Sequence, residues 1–162
     1  MRVAVIGAGS WGTAVAGMTG AHHSVSLWAR RPELAEAISS SHANPDYLPD
    51  FPLPESVTGT SDLTEAVTDA EVVVMAVPSH GFRQVLSEVS NHLDPAAPIV
   101  SLTKGIEQDT MLRMTEVVAE ETTTDPSIVG VLTGPNLARE MAAGQPAAAV
   151  VAVREENVTL LH

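Results

Sequence analysis

A glycine-rich segment near the N-terminus has the pattern of a phosphate-binding turn. It contains three glycines with a serine and a tryptophan before the last of them: Gly7, Gly9, Ser10, Trp11 and Gly12. The group follows a short apolar run at residues 2–6, which indicates a buried strand, and precedes a small apolar segment at 13–18, which indicates a helix. In that context Gly7 permits a tight turn, Gly9 lets a pyrophosphate approach the backbone, and Gly12 lets the helix lie close to the sheet. The free N–H groups of the helix would attract phosphate.

Two arginines stand at the end of the second predicted strand, residues 24–28. In folds that prefer NAD, a carboxylate at this place takes the ribose hydroxyls. Here Arg30 and Arg31 offer guanidinium groups, which suit a 2′-phosphate. We therefore expect NADP(H), with NAD(H) remaining acceptable if one arginine stacks on the adenine.

Two further predicted strands, residues 71–77 and 98–102, deliver polar segments to the same edge of the sheet. Because ligands of open α/β sheets lie outside the carboxyl ends of the strands, Pro78 and Phe82 should border the cofactor. Lys104, the single lysine of the chain, follows the second strand. It is expected to hold a substrate oxygen as a hydrogen-bond donor rather than to act as the base.

A third predicted strand, residues 127–132, is followed by Gly134 and Asn136. We expect Asn136 to cap the short helix that comes next. Together with the glycine turn and Lys104, these residues should surround one cleft. A cation and an amide beside a nicotinamide suit an anionic substrate that carries a hydroxyl group.

The alternation of strands and helices predicts an α/β fold with a doubly wound, mostly parallel sheet of seven or eight strands, a Rossmann-type dinucleotide-binding domain. Helices are expected at residues 32–40, 62–68, 84–93 and 110–121, and further strands at 56–60 and 146–153.

Composition limits the classes of partner. A net charge of −12 argues against nucleic acid or an anionic membrane as partner. The chain has no cysteine and no apolar run long enough to cross a membrane, and Met1 begins directly on a strand rather than on a signal peptide. We therefore expect a cytoplasmic protein. No metal site is expected, since His22 and His23 have no third ligand nearby.

Five motifs together resemble the bacterial NAD(P)-dependent glycerol-3-phosphate dehydrogenases. They occur in the order and spacing of that family and extend over essentially the whole chain: GAGSWGT at 7–13, LWAR at 27–30, VPSHGFR at 77–83, TKGIE at 103–107 and GPNLA at 134–138. The resemblance implies reversible hydride transfer between NAD(P)H and dihydroxyacetone phosphate, which gives sn-glycerol 3-phosphate for phospholipid synthesis.

The resemblance also implies roles for individual residues. Lys104 matches a position that contacts both cofactor and substrate, and Gly134 and Asn136 match substrate-contacting positions. Bacterial members commonly have serine in place of Asn136, and either side chain can hydrogen-bond a substrate oxygen. The remaining matches are to cofactor-contacting positions: Ser10, Trp11, Arg30, Arg31 and Ala138.

The family pattern implies a division of the chain at its end. Residues 1–153 would form the dinucleotide-binding domain, and residues 154–162 would begin a linker or helix toward a C-terminal helical domain that is absent here. That domain supplies the family's proton-transferring lysine, so we expect little turnover from this chain alone. A homodimer is among the states that the sequence leaves open.

Two other functions remain open at this stage. A stand-alone NADP(H)-binding module without catalysis would need no lysine or amide in the cleft. The other is a reductase of similar architecture for 2-keto or 3-hydroxy acids, over which the segments around Lys104 and Asn136 favour the dehydrogenase.

Overall fold

The computed structural model describes residues 1–154, which form strands and helices in regular alternation. The strands are β1 Arg2–Ile6, β2 Ser24–Trp28, β3 Val57–Thr60, β4 Val72–Met75, β5 Ile99–Ser101, β6 Val129–Thr133 and β7 Val150–Ala152. The α-helices are α1 Ser10–Gly20, α2 Pro32–Ser41, α3 Leu63–Val67, α4 Ser79–Val89, α5 Met114–Glu121 and α6 Ala138–Ala142. None of these helices is long and apolar enough to span a bilayer.

The strands form one seven-stranded sheet in the order β3-β2-β1-β4-β5-β6-β7. Every pair is parallel except β6 with β7, which is antiparallel. Strand β1 pairs with β2 through Val5 and Leu27, and with β4 through Val5 and Val74. The predicted doubly wound, mostly parallel sheet is confirmed. Because the strand order reverses between β1 and β4, a crevice opens there at the carboxyl edge.

The two faces of the sheet are buried by different helices. Ala4 and Ile6 of β1 belong to a core cluster that includes residues of α3, α4 and α5. Val3 and Val5 point to the other face, where residues of α1 and α2 pack. Successive side chains of β1 therefore alternate between the two cores, as expected of a strand that is buried on both sides.

Helix α4 begins earlier than the sequence suggested. We expected a helix from residue 84, but α4 starts at Ser79, directly after Pro78. Proline fixes a backbone angle that suits the entry of a helix. The apolar residues of α4 recur at helical spacing and are all buried: Phe82, Val85, Leu86 and Val89.

Other boundaries also differ from expectation. Strand β4 is shorter than the apolar run at 71–77, and α5 begins at Met114 rather than at residue 110. The expected strand at 146–153 is reduced to β7, whose three residues are all exposed. The helix expected after Arg154 lies outside the described residues.

We predict that Leu86→Ala will lower the free energy of unfolding by about 2–5 kcal/mol, because it empties part of a close-packed core. Leu86 is fully buried, whereas Leu137 is 63% exposed. Urea unfolding followed by circular dichroism measures both variants, and Leu137→Ala should change stability by less than about 0.5 kcal/mol. Similar losses for the two leucines would contradict this account of the core.

Candidate functional site

A cavity of about 680 Å³ opens at the carboxyl ends of β1, β2, β4 and β5. It lies at the reversal of the strand order, where open α/β sheets bind their ligands. The structure brings many of the predicted site residues to its wall: Gly7, Gly9, Ser10, Trp11, Arg30, Arg31, Pro78 and Lys104.

Two glycines are required by the packing of the turn itself. Gly7 has φ +121°, and a Cβ there would lie 2.8 Å from the backbone oxygen of Ala76. A Cβ on Gly12 would lie 1.9 Å from the backbone oxygen of Gly7. Gly12 does not line the cavity, so its effect on the site is indirect: it lets α1 lie against the turn.

Gly9 differs from these two because no neighbouring protein atom would exclude a side chain at this position. Its φ is −73°, which any residue adopts, and a Cβ there would meet nothing within 4 Å. Gly9 is also the N-cap of α1 and offers no side-chain hydrogen bond to the first turn. The N-cap of α4, Pro78, offers none either, and both helix starts line the cavity. Two positive helix ends with free N–H groups therefore face the same space.

The two arginines have different surroundings. Arg30 is exposed, and its Nη2 lies 3.8 Å from the position that a Cβ on Gly81 would take, near the start of α4. Arg31 donates a hydrogen bond to the carboxylate of Asp46, and its Nη1 lies 4.0 Å from Glu33. The hydrogen bond and charge of Asp46 raise the pKa of Arg31.

A buried asparagine fixes the loop after α2 to the glycine turn. Asn44 is fully buried, and its Nδ2 donates to the backbone oxygen of Ala8 at 2.9 Å and to the hydroxyl of Thr13 at 2.7 Å. Its Oδ1 accepts from the N–H groups of Asp46 at 3.3 Å and Tyr47 at 3.2 Å. The two bonds of Nδ2 join the loop to the turn and to α1, and the two bonds of Oδ1 hold the loop's own backbone, so the loop has a fixed position at the mouth of the cavity.

Sequence reasoning missed Tyr47 as a member of this site. The proline-rich stretch at residues 42–54 predicts a loop whose apolar residues, Tyr47, Leu48 and Phe51, hold it against the domain. Leu48 does so, since it is 2% exposed, but Tyr47 is 46% exposed and lines the cavity. In this loop, prolines alternate with aromatic and apolar residues, and that pattern does not show which side chains are buried and which one is exposed.

Lys104 stands where two cavities meet. It is exposed and lines the cavity just described as well as a second one of about 910 Å³, which Arg113 and Thr133 also line. The neighbouring Thr103 donates its hydroxyl to the backbone oxygen of Val77 at 2.7 Å. That bond joins the segment after β5 to the segment after β4.

An ion-pair network holds the Lys104 loop from its other side. Arg83 of α4 donates from Nε and Nη2 to the two carboxylate oxygens of Glu107, each at 2.8 Å. Arg83 also pairs with Glu120 and Glu121 of α5. The network raises the pKa of Arg83, and the Arg83 hydrogen bonds, aided by Thr110, lower the pKa of Glu107 to about 2. No group of three or more histidine or carboxylate side chains within residues 1–154 could hold a metal ion.

Phe82 does not border the cavity, contrary to expectation. Its side chain is fully buried in the core beneath α4. The physical reason is the early start of the helix at Ser79, which turns the position of Phe82 inward. The polar side of the same first turn, including Ser79 and His80, faces the cavity instead.

The segment after β6 is separate from this cavity. Gly134, Asn136 and Ala138 are not among its lining residues, although Thr133, just before them, lines the second cavity together with Lys104. Asn136 does not cap α6 either, because the N-cap is Leu137. Asn136 is 6% exposed, and neither polar atom of its amide has a hydrogen-bond partner among the described residues. The expected contacts of Gly134, Asn136 and Ala138 with a ligand stay a prediction.

We predict that the Arg83–Glu107 pair stabilises the fold in a pH-dependent way. Folding lowers the pKa of Glu107 from its ordinary 4.5 to about 2. The stabilisation is therefore fully present above about pH 4.5 and is lost as the pH falls from 4.5 toward 2. Glu107→Gln should be less stable than the unmodified chain at pH 6, and this difference should shrink over that interval.

Unfolding by urea at a series of pH values measures the effect. Glu36→Gln, which neutralises an exposed carboxylate on α2, is the matched control and should leave a small difference that does not vary with pH. A stability gap for Glu107→Gln that is the same at pH 6 and pH 2 would show that the ion pair does not stabilise the fold.

Comparison with known proteins gives a consistent family. A glycerol-3-phosphate dehydrogenase (NAD(P)+) of Corynebacterium glutamicum (strain R) is 54% identical over 158 residues, which cover 97% of this chain and 48% of the relative. The enzyme of the same name from Thermobifida fusca is 49% identical over 162 residues, which cover 98% and 48%. The chain thus spans about half the length of the curated relatives it matches.

Solved structures agree with the sequence comparison. The glycerol-3-phosphate dehydrogenase of Coxiella burnetii superposes with a TM-score of 0.86 at 30% identity, over 98% of this chain and 48% of that one. The yeast glycerol-3-phosphate dehydrogenase gives 0.86 at 27% identity, over 94% and 47%. The family model described as NAD-dependent glycerol-3-phosphate dehydrogenase N-terminus matches residues 2–159, and the chain belongs to that family.

Proposed function

We propose that this chain is the cofactor-binding half of a glycerol-3-phosphate dehydrogenase that uses NADP(H) or NAD(H). The reaction would be reversible hydride transfer between the reduced cofactor and dihydroxyacetone phosphate, giving sn-glycerol 3-phosphate. The proposal joins the family to the cavity at the carboxyl edge of the sheet. A cytoplasmic location belongs to it, since reduced dinucleotides are charged and do not cross membranes unaided.

The charge of the cavity wall carries the proposal. The chain has 20 acidic and 8 basic residues, yet three of the basic residues line this cavity: Arg30, Arg31 and Lys104. No aspartate or glutamate is among its lining residues in the described chain. A wall that concentrates cations on an acidic protein suits a ligand with several negative charges, such as a dinucleotide and a phosphorylated substrate.

The residues present fit a dinucleotide. The open space at Gly9 allows a pyrophosphate to approach the backbone, and the uncapped starts of α1 and α4 would donate N–H groups to it. Arg30 would receive a 2′-phosphate or stack on the adenine, and Tyr47 would add an aromatic wall. When bound, the reduced nicotinamide supplies the hydride.

Lys104 is the residue through which this chain would act on the substrate. Its ammonium would donate a hydrogen bond to the substrate oxygen and stabilise the charge that develops there. Thr103 and the Arg83–Glu107 pair hold the loop from both sides, so the backbone from which the Lys104 side chain extends has a fixed position. Gly134 and Asn136 would contribute substrate contacts of their own, in keeping with the unpartnered amide of Asn136.

A homodimer is also part of the proposal. The edge strand β7 exposes apolar side chains, with Val150 at 61% and Val151 at 41%. An uncovered apolar edge strand favours pairing with another surface.

We predict that Gly9→Val will weaken NADPH binding about tenfold to a hundredfold, because a branched side chain would overpack the space that the pyrophosphate needs. The same change should leave the fold intact, since a Cβ at Gly9 meets no protein atom. Fluorescence titration measures binding, and urea unfolding checks stability. Gly9→Ala should show a smaller loss. Unchanged NADPH affinity in a folded Gly9→Val variant would contradict the proposed site.

We predict that cofactor and dihydroxyacetone phosphate together protect Lys104 from acylation. Lys104 and the N-terminal amine are the only primary amines of the chain, and the latter lies 3.9 Å from Glu71. At ligand concentrations about ten times Kd, acylation of Lys104 should slow roughly tenfold. Mass spectrometry of the modified peptides measures both amines, with Met1 as the internal control.

The two ligands also separate the enzyme from a binding module. In an enzyme, dihydroxyacetone phosphate adds protection beyond that of NADPH alone. Protection by NADPH without any increment from the substrate would favour the stand-alone module. Labelling of Lys104 that no ligand changes would remove Lys104 from the site.

A further inference from the structure

Asp46 has a defined place beside the cavity that no role yet explains. It follows the buried Asn44 by two residues, and its N–H donates to Asn44 Oδ1 at 3.3 Å. Asn44 in turn is tied to Ala8 and Thr13 of the glycine turn and α1. The backbone of Asp46 is therefore fixed relative to the phosphate-binding turn, although its carboxylate is 42% exposed.

The carboxylate of Asp46 neutralises the arginine that the sequence assigned to a 2′-phosphate. It accepts a hydrogen bond from Arg31 Nη2, while Glu33 lies 4.0 Å from Arg31 Nη1. Arg30, by contrast, has no ion pair among the described residues. Of the three cations that line the cavity, Arg31 is therefore the one whose charge is offset, by Asp46 and in part by Glu33.

We propose that Asp46 is a positioning residue that sets cofactor preference by holding Arg31, so that NADPH loses the advantage over NADH that two free arginines would give it. The inference rests on the proposed function. A 2′-phosphate must compete with Asp46 for Arg31, and it also meets the charge of Asp46 itself. The 2′-hydroxyl of NADH carries no charge and escapes both effects.

The direction of the effect follows from charge rather than from geometry. A carboxylate can orient an arginine toward a ligand, which would favour NADPH. Here, however, the hydrogen bond takes one of the terminal N–H groups that a phosphate would use, and the pair cancels the charge of Arg31. The chain therefore acts as a dual-cofactor protein because one arginine, not two, is available to the 2′-phosphate.

The test compares the affinities of NADPH and NADH for matched variants by fluorescence titration at low salt. Asp46→Asn should tighten NADPH about threefold to fivefold, in line with an exposed ion pair, and leave NADH unchanged. Asp50→Asn removes the same charge from the same loop but from a carboxylate that pairs with Arg139 of α6. It should change neither affinity.

Two further variants separate positioning from a structural role. Asp46→Glu keeps the charge and should restore the original NADPH-to-NADH ratio. In the background of Arg31→Ala, the change Asp46→Asn should lose most of its effect, because the group through which it acts is gone. Calorimetric titration with 2′,5′-ADP and 5′-AMP gives the same comparison without a nicotinamide.

The outcomes are distinguishable. Equal changes for NADPH and NADH in Asp46→Asn, a preference that moves toward NADH, or an effect that survives intact in Arg31→Ala would each overturn the inference and leave the proposed function standing. Failure of the unmodified chain to bind either cofactor would overturn both.

Discussion

The close contact between α1 and the turn before it is the constraint on which the site depends. A Cβ on Gly12 would lie 1.9 Å from the Gly7 oxygen, and one on Gly7 would lie 2.8 Å from the Ala76 oxygen. With no side chains between them, the helix start, the end of β1 and the end of β4 meet at one point. The same approach aims the first N–H groups of α1 into the crevice where the strand order reverses.

A second set of contacts fixes the surrounding loops relative to this turn. Asn44 joins the loop after α2 to the turn, and Thr103 joins the segment after β5 to the segment after β4. On the far side, Arg83 holds the loop through Glu107. Each connection runs between segments remote in sequence, so the cavity wall is assembled from loops yet rests on strands and helices.

These connections also explain how far the sequence could predict the molecule. Periodicity in β1 and the spacing of Gly7, Gly9 and Gly12 were enough for the fold and for the position of the crevice, because both depend on local pattern. The side chains of Phe82 and Tyr47 were misjudged because their direction depends on where α4 begins and on what Asn44 bonds. The separation of Asn136 from the cavity depends on how the chain continues after β6, which no local pattern encodes.

The electrostatic potential in the cleft also depends on where the charged residues lie rather than on their number. An acidic chain with a net charge of −12 is a poor candidate for an anionic ligand when only composition is considered. Charges more than about 10 Å apart are largely screened at 0.1 M salt, so the few groups in the wall determine the potential inside the cleft. There Arg30, Arg31 and Lys104 stand without an acidic lining residue in the described chain. A single neighbour such as Asp46 can consequently alter the preference of the site more than any number of distant carboxylates.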